Sequence, residues 1–100
     1  MSDVTPCGVK LNSANRRTLN AIFARPTRAD VDWDEFLRLY RALGGEPVAT
    51  GSGSVRRLKL KDVRAAFHEP HPAGEMKKGA VEAARRFLIN AGFEPLDETI

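Results

Sequence analysis

Val55-Arg56-Arg57-Leu58-Lys59-Leu60-Lys61-Asp62-Val63-Arg64-Ala65-Ala66-Phe67-His68 is the stretch on which the fold turns. In its first half Arg56, Leu58 and Leu60 fall on one side of a period-2 pattern, and Val55, Arg57 and Lys59 on the other. Beyond Lys61-Asp62 the alternation resumes, with Val63, Ala65 and Phe67 opposed to Arg64, Ala66 and His68. Successive strand residues point to opposite faces, so two such runs around a tight break predict an antiparallel hairpin. Lys61-Asp62 is a weaker turn signal than Asn-Gly, because neither residue takes positive φ freely. The second strand ends at Glu69-Pro70. Upstream, Val48-Ala49-Thr50 reads as a short third strand, joined to the hairpin through the flexible Gly51-Ser52-Gly53-Ser54.

Outside these strands the period changes to that of a helix. From Ala14 to Ala24, Leu19, Ile22 and Phe23 recur at helical spacing, with Asn12 or Ser13 as N-cap, and Pro26 forbids continuation. A second helix starts at a capping box, Asp32 with Glu35, where Val31 can staple against Phe36. Trp33, Phe36, Leu37, Tyr40 and Leu43 form its apolar face, and Gly44 stands at C′. The last helix runs from about Gly79 to Ala91 on a stripe of Val81, Ala84, Phe87, Leu88 and Ala91, and Gly92 stops it. Helix, helix, three strands, helix is an α+β fold: a three-stranded antiparallel sheet packed by helices.

One hundred residues suit one domain, 1–100, better than two, since independent cores usually need more chain. Within it, 1–11 reads as a loose N-terminal arm and 94–100, with Glu94, Asp97 and Glu98, as an acidic tail. With 42% hydrophobic and 29% charged residues the composition is that of a globular protein, which argues against disorder and fibres. Strictly apolar runs reach only four residues, as in Ala21-Ile22-Phe23-Ala24, so no membrane span is expected. The first residues lack the basic and apolar regions of a secretory signal. A lone Cys7 fits a reducing compartment, and a cytoplasmic location is expected.

Net charge is only +3, but it is unevenly spread. Between Val55 and Arg64, five of ten residues are basic (Arg56, Arg57, Lys59, Lys61, Arg64) against Asp62 alone. A basic patch on a nearly neutral chain points to phosphate or an acidic protein surface, although a solvated strand face gives the same pattern.

Taken together, an ordered set of motifs resembles the HicA family of toxins from bacterial toxin–antitoxin systems. It covers 32–93: a helix ending Leu43-Gly44-Gly45, Gly53-Ser54 before a basic strand, and Phe67-His68-Glu69-Pro70-His71-Pro72. Gly74-Glu75-Met76-Lys77-Lys78-Gly79 follows, leading into a helix that ends Asn90-Ala91-Gly92-Phe93. The helix at 14–24 lies outside this pattern as an N-terminal addition. The resemblance implies a fold similar to the double-stranded-RNA-binding domain, metal-independent cleavage of mRNA, and neutralisation by a HicB-like antitoxin. The antitoxin would also be the route to any oligomer. One position departs: where the family carries a catalytic histidine after Gly-Ser, this chain has Val55. Valine moves no proton, so cleavage needs another carrier; otherwise the chain is a non-catalytic module of the same fold that binds RNA or the antitoxin. A third reading is a structural component whose basic strand meets an acidic protein.

Imidazole suits proton transfer near neutral pH, and the chain's two histidines, His68 and His71, flank Glu69-Pro70 at a strand end. They are the catalytic candidates, with His71 preferred; the bland alternative is that one lies on an exposed face and the other packs in a proline-fixed loop. Candidate RNA contacts are Ser54, Arg56, Arg57, Lys59, Lys61 and Arg64, with Lys77 and Lys78 before the last helix. Both alternation sets of the first strand contain a cation, so the pattern leaves open which face meets RNA. No cofactor or metal is expected: His-x-x-His offers two ligands where zinc takes three or four, and completing the set would need Cys7, Glu69 or Glu75. Gly51–Ser54 lacks the Gly-Lys-Ser/Thr ending and following helix of a P-loop. Arg85-Arg86 reads as a solvated helix face.

Overall fold

A computed structural model describes residues 11–70 and 74–93. Its elements are α1 (Ser13–Ile22), β1 (Val31–Asp32), α2 (Trp33–Ala42), β2 (Ala49–Thr50), β3 (Val55–Leu60), β4 (Val63–His68), β5 (Glu75–Met76) and α3 (Lys78–Asn90). Strands β2, β3 and β4 form an antiparallel sheet in that order. The expected α+β class therefore holds. The order helix, three-stranded sheet, helix is consistent with a double-stranded-RNA-binding-domain-like fold, preceded here by an added helix.

The hairpin closes on Lys61-Asp62, with Leu60 opposite Val63 and Val55 opposite His68. Lys61 takes a φ of 57°, the left-handed region that the loop's first position requires. On the inner face Leu58, Leu60 and Phe67 are buried. Phe67 is the hub of an aromatic cluster, with ring centroids 5.4 Å from Phe36, 6.0 Å from Phe87 and 6.1 Å from Trp33. Trp33, Phe36 and Phe87 serve the core, as their helical spacing predicts.

Capping fixes the helix bounds. Asp32 accepts a hydrogen bond from the Glu35 amide at 3.1 Å, and Asn12 accepts one from the Asn15 amide at 2.7 Å. Helix α2 ends in a Schellman motif: Gly45 N–H donates to Tyr40 O at 2.9 Å and Gly44 N–H to Arg41 O at 3.0 Å, with Gly44 at φ 100°. Helix α3 closes the same way through Gly92, and Phe93 N–H donates to Leu88 O at 2.8 Å. Leu39 joins the buried face of α2 while Leu37 stays half-buried. The buried arc is wide because α2 packs on α1 as well as over the sheet.

Two features went unread in the sequence. Strands β1 and β5 pair, with Val31 opposite Met76 and Asp32 opposite Glu75, tying the start of α2 to the approach to α3. In addition, Arg85 is only 7% exposed, so the expectation of a solvated Arg85-Arg86 face is corrected for Arg85; Arg86 is exposed. Arg85 Nε donates to the Ile22 carbonyl at 3.0 Å, and its Nη2 donates to Thr27 Oγ1 at 2.9 Å and to the Ala24 carbonyl at 3.4 Å. The carbonyls at the end of α1 have no intrahelical partners, and a guanidinium fork can serve several acceptors at once. That need, rather than water, holds Arg85 inside. Through it α1, with Leu19 and Ile22 fully buried, is part of the core.

Candidate nucleic-acid interface

The register decides which cations share a surface. Arg57 lies opposite Ala66 and Lys59 opposite Arg64, so Arg57, Lys59 and Arg64 stand together on the outer face, with His68 and Val55 at one end. The sequence pairs Arg57 with Lys59; Arg64 joins them because the two-residue loop brings it across the ladder. Between them runs a trough of about 460 Å³, floored by Ala49 and Ala66 and walled by the three cations and Pro47. Lys59 Nζ is 3.5 Å from Glu46, whereas no acid among the described residues pairs with Arg57 or Arg64. Arg57 and Arg64, both exposed, are thus open to an anionic ligand.

Two predicted RNA contacts turn elsewhere. Arg56 belongs to the inner set, and its Nε lies 2.9 Å from Glu69 while Nη1 donates to the Val55 and Gly53 carbonyls at 2.9 and 3.1 Å. Lys61 places its ammonium 5.3 Å from the centroid of the Phe93 ring, a cation–π contact at the hairpin tip.

Beyond β4 lies a second groove of about 670 Å³, lined by Ala66, His68, Glu69, Met76, Lys77 and Ala80 among others. Lys77 is the N-cap of α3 but makes no side-chain cap bond, and both Lys77 and Lys78 are exposed. His68, also exposed, has Nδ1 3.3 Å from Ser54 Oγ. The two are held in place by the ladder, because Glu69 N–H donates to the Ser54 carbonyl at 2.8 Å. Sequence reasoning singled out both residues without joining them, although the pairing follows by counting back from the Lys61-Asp62 loop. His71, Cys7 and the acidic tail lie outside the described residues.

A third cleft, of about 220 Å³ between α1 and α2, gathers Arg17, Arg28 and Arg38 but also Asp30 and Glu35. Arg28 donates to both carboxylate oxygens of Asp30, at 2.8 and 2.9 Å, and these bonds hold that carboxyl below the usual carboxylate range. One of its three arginines is thus paired with a carboxylate, and a second carboxylate, Glu35, lies in the same cleft. Among the described residues no three His, Cys, Asp or Glu side chains gather as metal ligands, and no helix is long and apolar enough to cross a membrane.

Residues 33–93 match a family model described as HicA toxin of bacterial toxin–antitoxin. Neither the curated proteins nor the solved structures give a match. The matched stretch begins at α2, so the cationic trough and the groove beside His68 lie within it and α1 lies outside.

Proposed function

Because the chain belongs to the HicA family of toxins from bacterial toxin–antitoxin systems, we propose that it acts on RNA, binding it along the outer sheet face and cleaving it to inhibit translation. The observation that carries this reading is the row Arg57, Lys59 and Arg64 over an alanine floor, with Arg57 and Arg64 lacking an acidic partner among the described residues. Cations in a row at strand spacing neutralise successive phosphates and read no sequence, so affinity comes with strong salt dependence. Arg57→Gln with Arg64→Gln should weaken binding to unrelated RNAs alike and reduce the slope of log K against log salt by about 1 for each phosphate no longer neutralised. An unchanged slope removes the sheet face from the interface. Cleavage of labelled RNA by the intact chain in EDTA tests the activity itself.

One observation favours a second reading, binding without cleavage: Val55 stands where the family resemblance places a catalytic histidine. Salt-dependent RNA binding with intact RNA afterwards would decide for it.

Family membership also implies an antitoxin partner. A HicB-like protein covering the same sheet face would silence either activity by occupying the cations. RNA and antitoxin should then compete for the chain in a titration, and a stable ternary complex would exclude a shared surface.

A further inference from the structure

The strongest unassigned cluster stands where β3 begins and β4 ends. His68 is exposed there, and its cross-strand neighbour is Val55, an aliphatic side chain that leaves the imidazole room and does not compete for a proton. Ser54 Oγ, 3.3 Å from Nδ1, can fix the ring's orientation and tautomer. The adjacent carboxylate of Glu69 is held by Arg56 at 2.9 Å. Across the groove stand Lys77 and Glu75. These five groups (Ser54, Arg56, Glu69, Glu75 and Lys77) are the polar and charged surroundings of the imidazole among the described residues. Along β4, Ala66 lines both this groove and the cationic trough, so an RNA strand held by Arg57 and Arg64 has a continuous path to His68.

We propose that His68, oriented by Ser54, is the proton-transfer residue of this chain's RNA cleavage; the inference rests on the cleavage reading above. With the Nδ1 proton donated to Ser54 Oγ, the Nε2 lone pair takes the proton of a ribose 2′-hydroxyl. The 2′-oxygen forms a bond to the adjacent phosphorus as the bond from phosphorus to the 5′-oxygen breaks. The departing oxygen takes a proton from water, and the imidazolium returns its proton to the hydroxide so formed. The products are a 2′,3′-cyclic phosphate and a 5′-hydroxyl, with no net proton consumed. Lys77 faces the same groove and supplies positive charge for the non-bridging oxygens. Ser54 is a positioning residue in this scheme, and His68 the catalytic one.

The test uses the full chain and labelled RNA in EDTA, with Kd and kcat measured separately across pH. His68→Ala should lower kcat by about 10²-fold or more and leave Kd nearly unchanged, because a general base acts on the transition state. The limb of the wild-type pH–rate profile in which activity rises with pH should vanish in that variant. Ser54→Ala should displace the same limb with a smaller loss of kcat, and Ser54→Thr should restore it. If His68→Ala cleaves like wild type with the same limb, or His71→Ala alone abolishes it, the assignment to His68 is overturned while RNA cleavage stands. Wild-type products bearing a 3′-hydroxyl and a 5′-phosphate would also overturn it. If the wild-type chain binds RNA and cleaves none, this inference and the cleavage reading fall together, leaving the binding reading intact.

Discussion

Arg85→Met should destabilise the fold by about 3 kcal/mol, read as a lower urea midpoint with an unchanged denaturant slope. The substitution keeps an apolar stem of similar length, so the loss isolates the guanidinium. Three hydrogen bonds disappear, and the Ile22 and Ala24 carbonyls and the Thr27 hydroxyl lose their donor. A net bond to a charged donor contributes about 1.5–3 kcal/mol. Of the three, only that to Ile22 is buried and that to Ala24 is long, so the total stays near the cost of one full bond plus a weaker second. Thr27→Val, which removes one acceptor only, should cost clearly less. Equal stability of Arg85→Met and wild type would mean that α1 is held by its apolar face alone.

Gly45→Ala is the second large effect, again about 3 kcal/mol, at the upper end of what overpacking usually costs. A Cβ at position 45 would run into the ring of Tyr40, which is fully buried. The ring cannot swing away without breaking its own anchors. Its hydroxyl accepts a hydrogen bond from Lys59 N–H at 2.9 Å and donates to the Glu46 carbonyl. It supplies the acceptor for Lys59 N–H beyond the end of the two-residue strand β2. Gly44→Ala makes a sharp contrast: nothing stands within 4 Å of its Cβ, and its φ of +100° alone carries the penalty. That cost should be about 1 kcal/mol. Combining Gly45→Ala with Tyr40→Leu should cost less than the sum of the two, since the smaller side chain relieves the clash.

The hairpin was legible because alternation over six residues on each side of a break leaves few alternatives, and a known loop sets the whole register. The helices were legible through caps: Asp32, Gly44 and Gly92 act where their chemistry says they should. Strands β1 and β5 were not, because two residues each are too few to show a period. Arg85 was misread for a different reason. A charged residue beside another on a helix gives the pattern of a solvated face, and only the orphaned carbonyls of a distant helix reveal its use. For the candidate site, the sequence named the cations without saying which face they share. The ladder distributes them: Arg64 to the trough, Arg56 inward to Glu69, Lys61 to Phe93.

The bond between Arg85 and Ile22 spans 63 positions of chain, and this sets an order of events during synthesis. Helix α1 leaves the ribosome early, yet its anchoring guanidinium follows only after roughly 3–13 s at ordinary elongation rates of about 5–20 residues per second. Until then Leu19 and Ile22 can pack against α2 but lack the closing contact of α3. The polypeptide acquires its final shape only when the last helix emerges. A message truncated anywhere before the codon for Arg85 would therefore release a chain whose first helix lacks its guanidinium anchor, a substrate for proteolysis rather than a working toxin.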